Sequence, residues 1–104
     1  VRLTLDQGAI DLDRRVVRRG SDEVGLTTTE ARLLAHMARH PGRVFGRDEL
    51  QVEVWGYRAG IESRTVFTTI GRVRQKIEED PSKPTVLVSA PGGYRLLLPR
   101  AAAD

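Results

Sequence analysis

From Ser63 to Glu79 the chain reads Ser-Arg-Thr-Val-Phe-Thr-Thr-Ile-Gly-Arg-Val-Arg-Gln-Lys-Ile-Glu-Glu, a stretch that reads as a helix with two unlike faces. At about 100° per residue Val66, Ile70, Val73 and Ile77 fall in one narrow stripe, with the i, i+4, i+7, i+11 spacing of a helix that buries a single face. Nearly opposite stand Arg64, Thr68, Arg72 and Gln75, with Thr65 and Gly71 on the flanks. No acidic residue interrupts Arg64, Arg72, Arg74 and Lys76, so the outer face suits a polyanion. Ser63 is placed to cap the amino end, and Glu62 before it complements the positive end of the helix dipole. A basic helix face taken alone is most often simply solvated. The surrounding chain decides whether this one is a working surface.

The chain has 104 residues, 39% of them hydrophobic, enough for one modest core and too few for two. Lys and Arg number 17 against 14 for Asp and Glu, so a net charge of +3 is only a mild pointer towards an anionic partner. The absence of cysteine removes disulfides, thiolate metal sites and cysteine nucleophiles, and is compatible with a cytoplasmic setting. No apolar run approaches the roughly 18 to 20 residues that would span a bilayer, so no membrane association is expected.

Ahead of the basic helix, Val1, Leu3 and Leu5 alternate with Arg2 and Thr4, Asp6-Gln7-Gly8 supplies a turn, and Ile10 and Leu12 alternate with acids. Val16-Val17-Arg18 and Glu23-Val24-Gly25-Leu26 read as further short strands, which gives a small antiparallel meander. The arginines of its turns, Arg14, Arg15, Arg18 and Arg19, are expected to be solvated. Thr27-Thr28-Thr29-Glu30 fits a capping box and opens a first helix, with Leu33, Leu34, Met37 and Ala38 on one face and Pro41-Gly42 as its end. Gly46 opens a second helix through Leu50, Val52, Val54 and Trp55, where Trp55 is expected to pack. Residues 56 to 62 form the linker to the basic helix. Past Glu79, Asp80-Pro81 breaks the helix, Thr85 to Ser89 reads as a strand, Ala90-Pro91-Gly92-Gly93 as a tight turn, and Tyr94 to Leu98 as its return.

His36 and His40 are i, i+4 neighbours, but no third ligand at a usual spacing accompanies them, so no metal site is expected. No nucleophile motif, phosphate-binding glycine loop or cofactor signature is present, so the chain reads as a binding module, not an enzyme, with no small-molecule ligand.

Leu26-Thr27 with Glu30, Arg32-Leu33-Leu34, His40-Pro41-Gly42-Arg43-Val44-Phe45, Val54-Trp55-Gly56, Arg64-Thr65-Val66, Arg72-Val73-Arg74-Gln75-Lys76-Ile77 and Gly93-Tyr94-Arg95, in that order, closely resemble the OmpR/PhoB family of winged-helix effector domains. The resemblance runs from about Leu3 to Leu98. It implies an α+β winged helix-turn-helix: a four-stranded antiparallel sheet over residues 1–26, three helices over 27–80 and a hairpin wing over 85–98. Together these make a single domain, 1–98, followed by a tail or linker, 99–104. It further implies sequence-preferring binding of double-stranded DNA by a bacterial, cytoplasmic transcriptional regulator of the two-component, response-regulator type, with the third helix in the major groove.

By family position, Thr68 and Arg72 face bases, while Arg64, Thr65, Thr69, Gly71 and Arg74 stand where members contact phosphate or neighbouring backbone; Arg95, on the return strand of the hairpin, is a further candidate for phosphate. The loop holding Tyr57, Arg58 and Ile61 corresponds to a possible RNA polymerase contact, and head-to-tail pairing on direct repeats is a further family expectation. The residues leave open whether a receiver or another domain is attached. The chain departs from the family pattern in its central helix. Members carry an acid at the position of Phe67, commonly His at that of Thr69, and Ser or Arg at that of Gly71. Gly71 costs about 1 kcal/mol relative to Ala inside a helix. Phe67 lies at the margin of the apolar stripe and is expected to pack at the core edge; packing against the linker Gly56 to Glu62, contact with DNA sugars and a place in a protein interface are the other readings. Members often carry an arginine near the wing tip, which Ala90-Pro91-Gly92-Gly93 lacks, so minor-groove insertion there is not expected. The alternative reading is a protein-interaction module on the same scaffold, motivated by Phe67, Gly71 and the missing tip arginine.

Overall fold

The alternation of apolar and polar residues in the first part of the chain folds as four strands, although Leu12, read into the second, lies past its end, and Val1 and Gln7 lie outside the described residues. The computed structural model describes residues 2–6, 8–56 and 63–98, and of Ser63 the backbone only. Strands β1 (Arg2–Leu5), β2 (Gly8–Asp11), β3 (Val16–Arg19) and β4 (Asp22–Gly25) form an antiparallel meander in chain order. The register sets Leu3 opposite Ile10, Ile10 opposite Val17 and Val17 opposite Val24. One apolar row therefore crosses the sheet, buried from Leu3 to Val17 and emerging at Val24 on the edge strand. Gly8 is required by close packing, since a methyl group there would collide with the Arg18 carbonyl. The turn arginines are not all free: Arg18 pairs with Glu23 at 3.2 Å and Arg15 donates to the Thr28 hydroxyl at 2.8 Å.

Helix α1 (Thr28–Ala38) begins at the capping box: the Thr27 hydroxyl accepts from the Glu30 N–H at 3.1 Å, and the Glu30 carboxyl accepts from the Thr27 N–H at 2.9 Å. Helix α2 (Arg47–Leu50) is shorter than expected, and its last turn is a π-helical turn, Gln51–Trp55, ending at Gly56. The i, i+4 spacing of Leu50 and Val54 fits either winding, so periodicity could not distinguish them. Gly56 has φ of +79°, a left-handed conformation that suits glycine. Helix α3 (Ser63–Ile77) follows residues 57–62 and stops two residues short of the expected end. Trp55 packs partly buried against the core.

Strands β5 (Leu87–Ala90) and β6 (Gly93–Leu96) form the hairpin, each shorter than expected. Phe45, read only as part of an apolar pair, adds a third backbone rung: its N–H donates to the Tyr94 carbonyl at 2.7 Å and its carbonyl accepts from the Tyr94 N–H at 3.0 Å. A side chain on Gly93 would strike that Phe45 carbonyl, so the approach demands glycine. Between sheet, helices and hairpin lies one core, with Ile10, Val17, Leu33, Leu34, Met37, Phe45, Leu50, Val66, Ile70, Val73, Leu87 and Leu96 all fully buried.

Two acids hold α3 to its neighbours. Glu30 does more than cap, because its Oε1 also meets Lys76 Nζ at 2.6 Å, joining the start of α1 to the end of α3 across 46 residues. Burial opposes ionisation of Glu30, but the Lys76 ammonium and the Thr27 N–H outweigh it and hold the carboxyl below its ordinary value of 4.5. A carboxyl lowered by folding stabilises fully above its unfolded-state pKa, and that contribution disappears as pH falls through the lower folded-state value. Unfolding free energies measured between pH 7 and pH 3 should therefore decline less steeply at the acid end for Glu30→Gln than for the unsubstituted protein. Parallel acid limbs would count against the pair. Beyond α3, Glu78 is buried and its carboxyl oxygens accept from the N–H groups of Thr85, Val86 and Leu87 at 2.7 to 3.2 Å.

Candidate nucleic-acid interface

The outward face of α3 is built from the residues that the helical period leaves opposite the buried stripe. Val66, Ile70, Val73 and Ile77 are buried, and Arg64, Phe67, Thr68, Gly71, Arg72 and Gln75 are exposed. Arg64, Arg72 and the exposed Arg95 of β6 make no hydrogen bond or ion pair with another described residue. Among the described residues of α3 and β6 they are the cations left available.

The structure revises the basic face in three places. Thr69, expected at phosphate, is turned inward: it is 8% exposed and its hydroxyl donates to the Thr65 carbonyl at 2.9 Å. A short hydroxyl side chain four residues past a carbonyl bonds back to it readily. Arg74 bridges α3 to the hairpin, with Nε donating to the Leu87 carbonyl at 2.9 Å, Nη2 to the Ser89 hydroxyl at 3.1 Å, and its guanidinium 5.8 Å from the Tyr94 ring centre. Lys76, counted with the outer cations, is committed to Glu30. Thr65 is half-buried and Gly71 sits in open space, with nothing within 4 Å of where a side chain would begin.

Phe67 is the largest departure. Expected at the core edge, it is instead 65% exposed. At about 100° per residue it stands roughly 90° from the centre of the apolar stripe, too far round the helix to join the core. Its position one residue before Thr68 was the signal available in the sequence. The expected base-facing pair, Thr68 and Arg72, are i, i+4 neighbours and both exposed. Tyr57, Arg58 and Ile61, the Glu62–Ser63 cap and the tail 99–104 lie outside the described residues.

His36 serves packing. Its ring meets the Phe45 ring edge-on at 5.1 Å, and Nε2 lies 4.0 Å from the Glu49 carboxyl, which also holds Arg43 at 3.0 Å. Among the described residues no group of three or more His, Asp or Glu is placed to hold a metal ion, and no helix is long and apolar enough to cross a membrane.

The same architecture recurs in known proteins. The DNA-binding domain of Escherichia coli CadC superposes with a TM-score of 0.78 at 25% identity, covering 94% of this chain and 92% of that one. The Klebsiella pneumoniae RstA DNA-binding domain, solved in complex with the RstA box, gives 0.73 at 26% identity, with coverage of 92% and 96%. The DNA-binding response regulator MtrA of Mycobacterium tuberculosis is 39% identical over 94 residues, which are 89% of this chain. The chain spans about two fifths of that relative, 41% of its length. The family described as "Transcriptional regulatory protein, C terminal" matches residues 21–96, from the last strand of the meander to the end of the hairpin. The chain therefore belongs to that family, the winged-helix effector domains of the OmpR/PhoB type.

Proposed function

We infer that this domain is the DNA-binding effector module of a bacterial transcriptional regulator, working in the cytoplasm with α3 in the major groove of duplex DNA. The observation that carries the reading is the outward face of α3. There Arg64, Thr68 and Arg72 stand exposed, neither arginine with a partner among the described residues, while Arg74 and Lys76 are engaged within the fold. A helix of this width fits the major groove, where base edges carry a distinguishable pattern of donors, acceptors and methyl groups. The reading is supported by MtrA, named a DNA-binding response regulator, and by the matched parts of CadC and RstA, named DNA-binding domains.

In this reading Arg72 offers its planar fork to guanine O6 and N7, and the Thr68 methyl group meets a base edge. Arg64, Thr65 and Arg95 position the domain on phosphates, and Gly71 permits close backbone approach. Arg74 acts chiefly by fixing the wing, with Nη1 left for a phosphate. Thr69 acts by its back-bond within α3 and not as a ligand. Head-to-tail pairing on direct repeats, and a polymerase contact through Tyr57, Arg58 and Ile61, belong to the same proposal. So does membership of a larger two-component regulator.

Selection from random duplexes followed by affinity measurement at several salt concentrations tests the reading. An enriched motif is expected, bound with a log–log salt slope of about −2 to −4, as for two to four neutralised phosphates. Failure to enrich any motif, with binding abolished by moderate salt, would leave the domain as an interaction module.

A further inference from the structure

Phe67 is left unexplained by the roles above. It is 65% exposed, and its neighbours one helical turn away are Arg64 at i−3 and Gly71 at i+4, with Thr68 beside it. Gly71 adds nothing to cover the ring on its carboxy-terminal side. The other large apolar side chains that the described residues expose, Val24, Val44 and Leu97, lie on other segments. Among the described residues the face therefore presents a single aromatic ring among arginine, threonine and glycine. Protein partners are recognised through contiguous apolar patches with a desolvated centre, and a lone ring in polar surroundings does not make one. The floor of the major groove has the complementary character, since its polar base edges are interrupted by isolated apolar groups, the thymine 5-methyls.

We propose that Phe67 is a specificity-determining residue that reads one thymine methyl group in the major groove, with the vacant position at Gly71 admitting the base edge alongside the ring. The inference rests on the DNA-binding reading and adds to it a base preference on the flank of α3, separate from the positions read by Thr68 and Arg72. An acid at this point of the helix is suited to accepting from cytosine N4. A phenyl ring has neither donor nor acceptor for such a contact, so what it can read on a base edge is an apolar group.

The test deletes the methyl group and nothing else. Within a selected duplex each thymine is replaced in turn by deoxyuridine, and affinity is measured for the unsubstituted domain, Phe67→Ala and Thr68→Ser. One thymine is expected at which uracil weakens binding of the unsubstituted domain about three- to fivefold, the worth of one buried methyl group, and at which Phe67→Ala shows no uracil penalty. Penalties elsewhere should persist in Phe67→Ala, including any that Thr68→Ser removes. Because the ring is exposed, Phe67→Ala should keep its fold, which thermal melting checks. Equal uracil penalties in the unsubstituted domain and Phe67→Ala at every position would overturn the proposal. So would a variant that binds single sites normally and loses only cooperative binding to paired sites, since the ring would then be a protein contact. Failure to select any site would remove the DNA reading itself, a separate outcome seen before any substitution is made.

Discussion

Glu78→Ala should lower the free energy of unfolding by about 3 to 5 kcal/mol, enough to leave a domain of this size marginal. The carboxyl group is 1% exposed and accepts four hydrogen bonds from three successive backbone N–H groups, those of Thr85, Val86 and Leu87. Truncation removes the acceptor and leaves those donors facing a void, and each orphaned buried donor costs about 1 to 3 kcal/mol. Thr85 is itself exposed and recovers part of its loss from water, which sets the total below three full penalties. Glu78→Gln keeps one oxygen and turns an NH₂ towards the remaining donors, so its loss should fall between those of the alanine variant and the parent. Urea denaturation gives the free energies, and amide exchange should show lost protection first at Val86 and Leu87. A loss under about 1 kcal/mol for Glu78→Ala would mean that the segment before β5 finds its hydrogen bonds elsewhere.

Arg72→Ala should weaken binding to the selected duplex by about 1 to 3 kcal/mol, roughly 5- to 150-fold, and relax preference at one base pair. The side chain is exposed and makes no described contact, so the folded domain should be as stable as before. Arg72→Lys separates charge from shape. It keeps the positive charge, and so most of the salt dependence, but loses the planar two-point fork that matches guanine. Binding isotherms on the selected duplex and on its single-base variants measure both effects. Equal affinity of Arg72→Ala and the parent for every duplex would remove Arg72 from the readout.

Those two residues also mark the limits of what the sequence made legible. The stripe Val66, Ile70, Val73, Ile77 and the alternation of Leu3, Leu5 and Ile10 depend only on local periodicity, and both appear in the structure as the core. The capping box at Thr27 and Glu30 is likewise local, spanning three residues. The exposure of Thr68 and Arg72 follows from the same period. Glu78, by contrast, sits just past the helix end in a run of three acids, and nothing nearby announces that it will clasp a strand approach seven to nine residues later. Lys76 and Arg74 have long stems that leave the face on which their Cα atoms lie. Their partners are 46 and 13 residues distant. Thr69 was misplaced because its hydroxyl had a closer acceptor in its own helix than any outside it. Phe67 was misplaced for the opposite reason, since its composition spoke for the core while its angle on the helix did not.

Arg74 and Glu78 both leave the carboxy-terminal end of α3 and finish on β5 or the residues leading into it. Helix and hairpin are thus fastened to each other like the two jaws of a caliper whose screw has been tightened, and changing the gap between them would cost these hydrogen bonds. When such a tool closes on a duplex, the adjustment falls to the duplex. A flexible pyrimidine–purine step between the two points of contact would yield to that gap more cheaply than a stiff A-tract, so the domain would discriminate between sequences that none of its side chains touch.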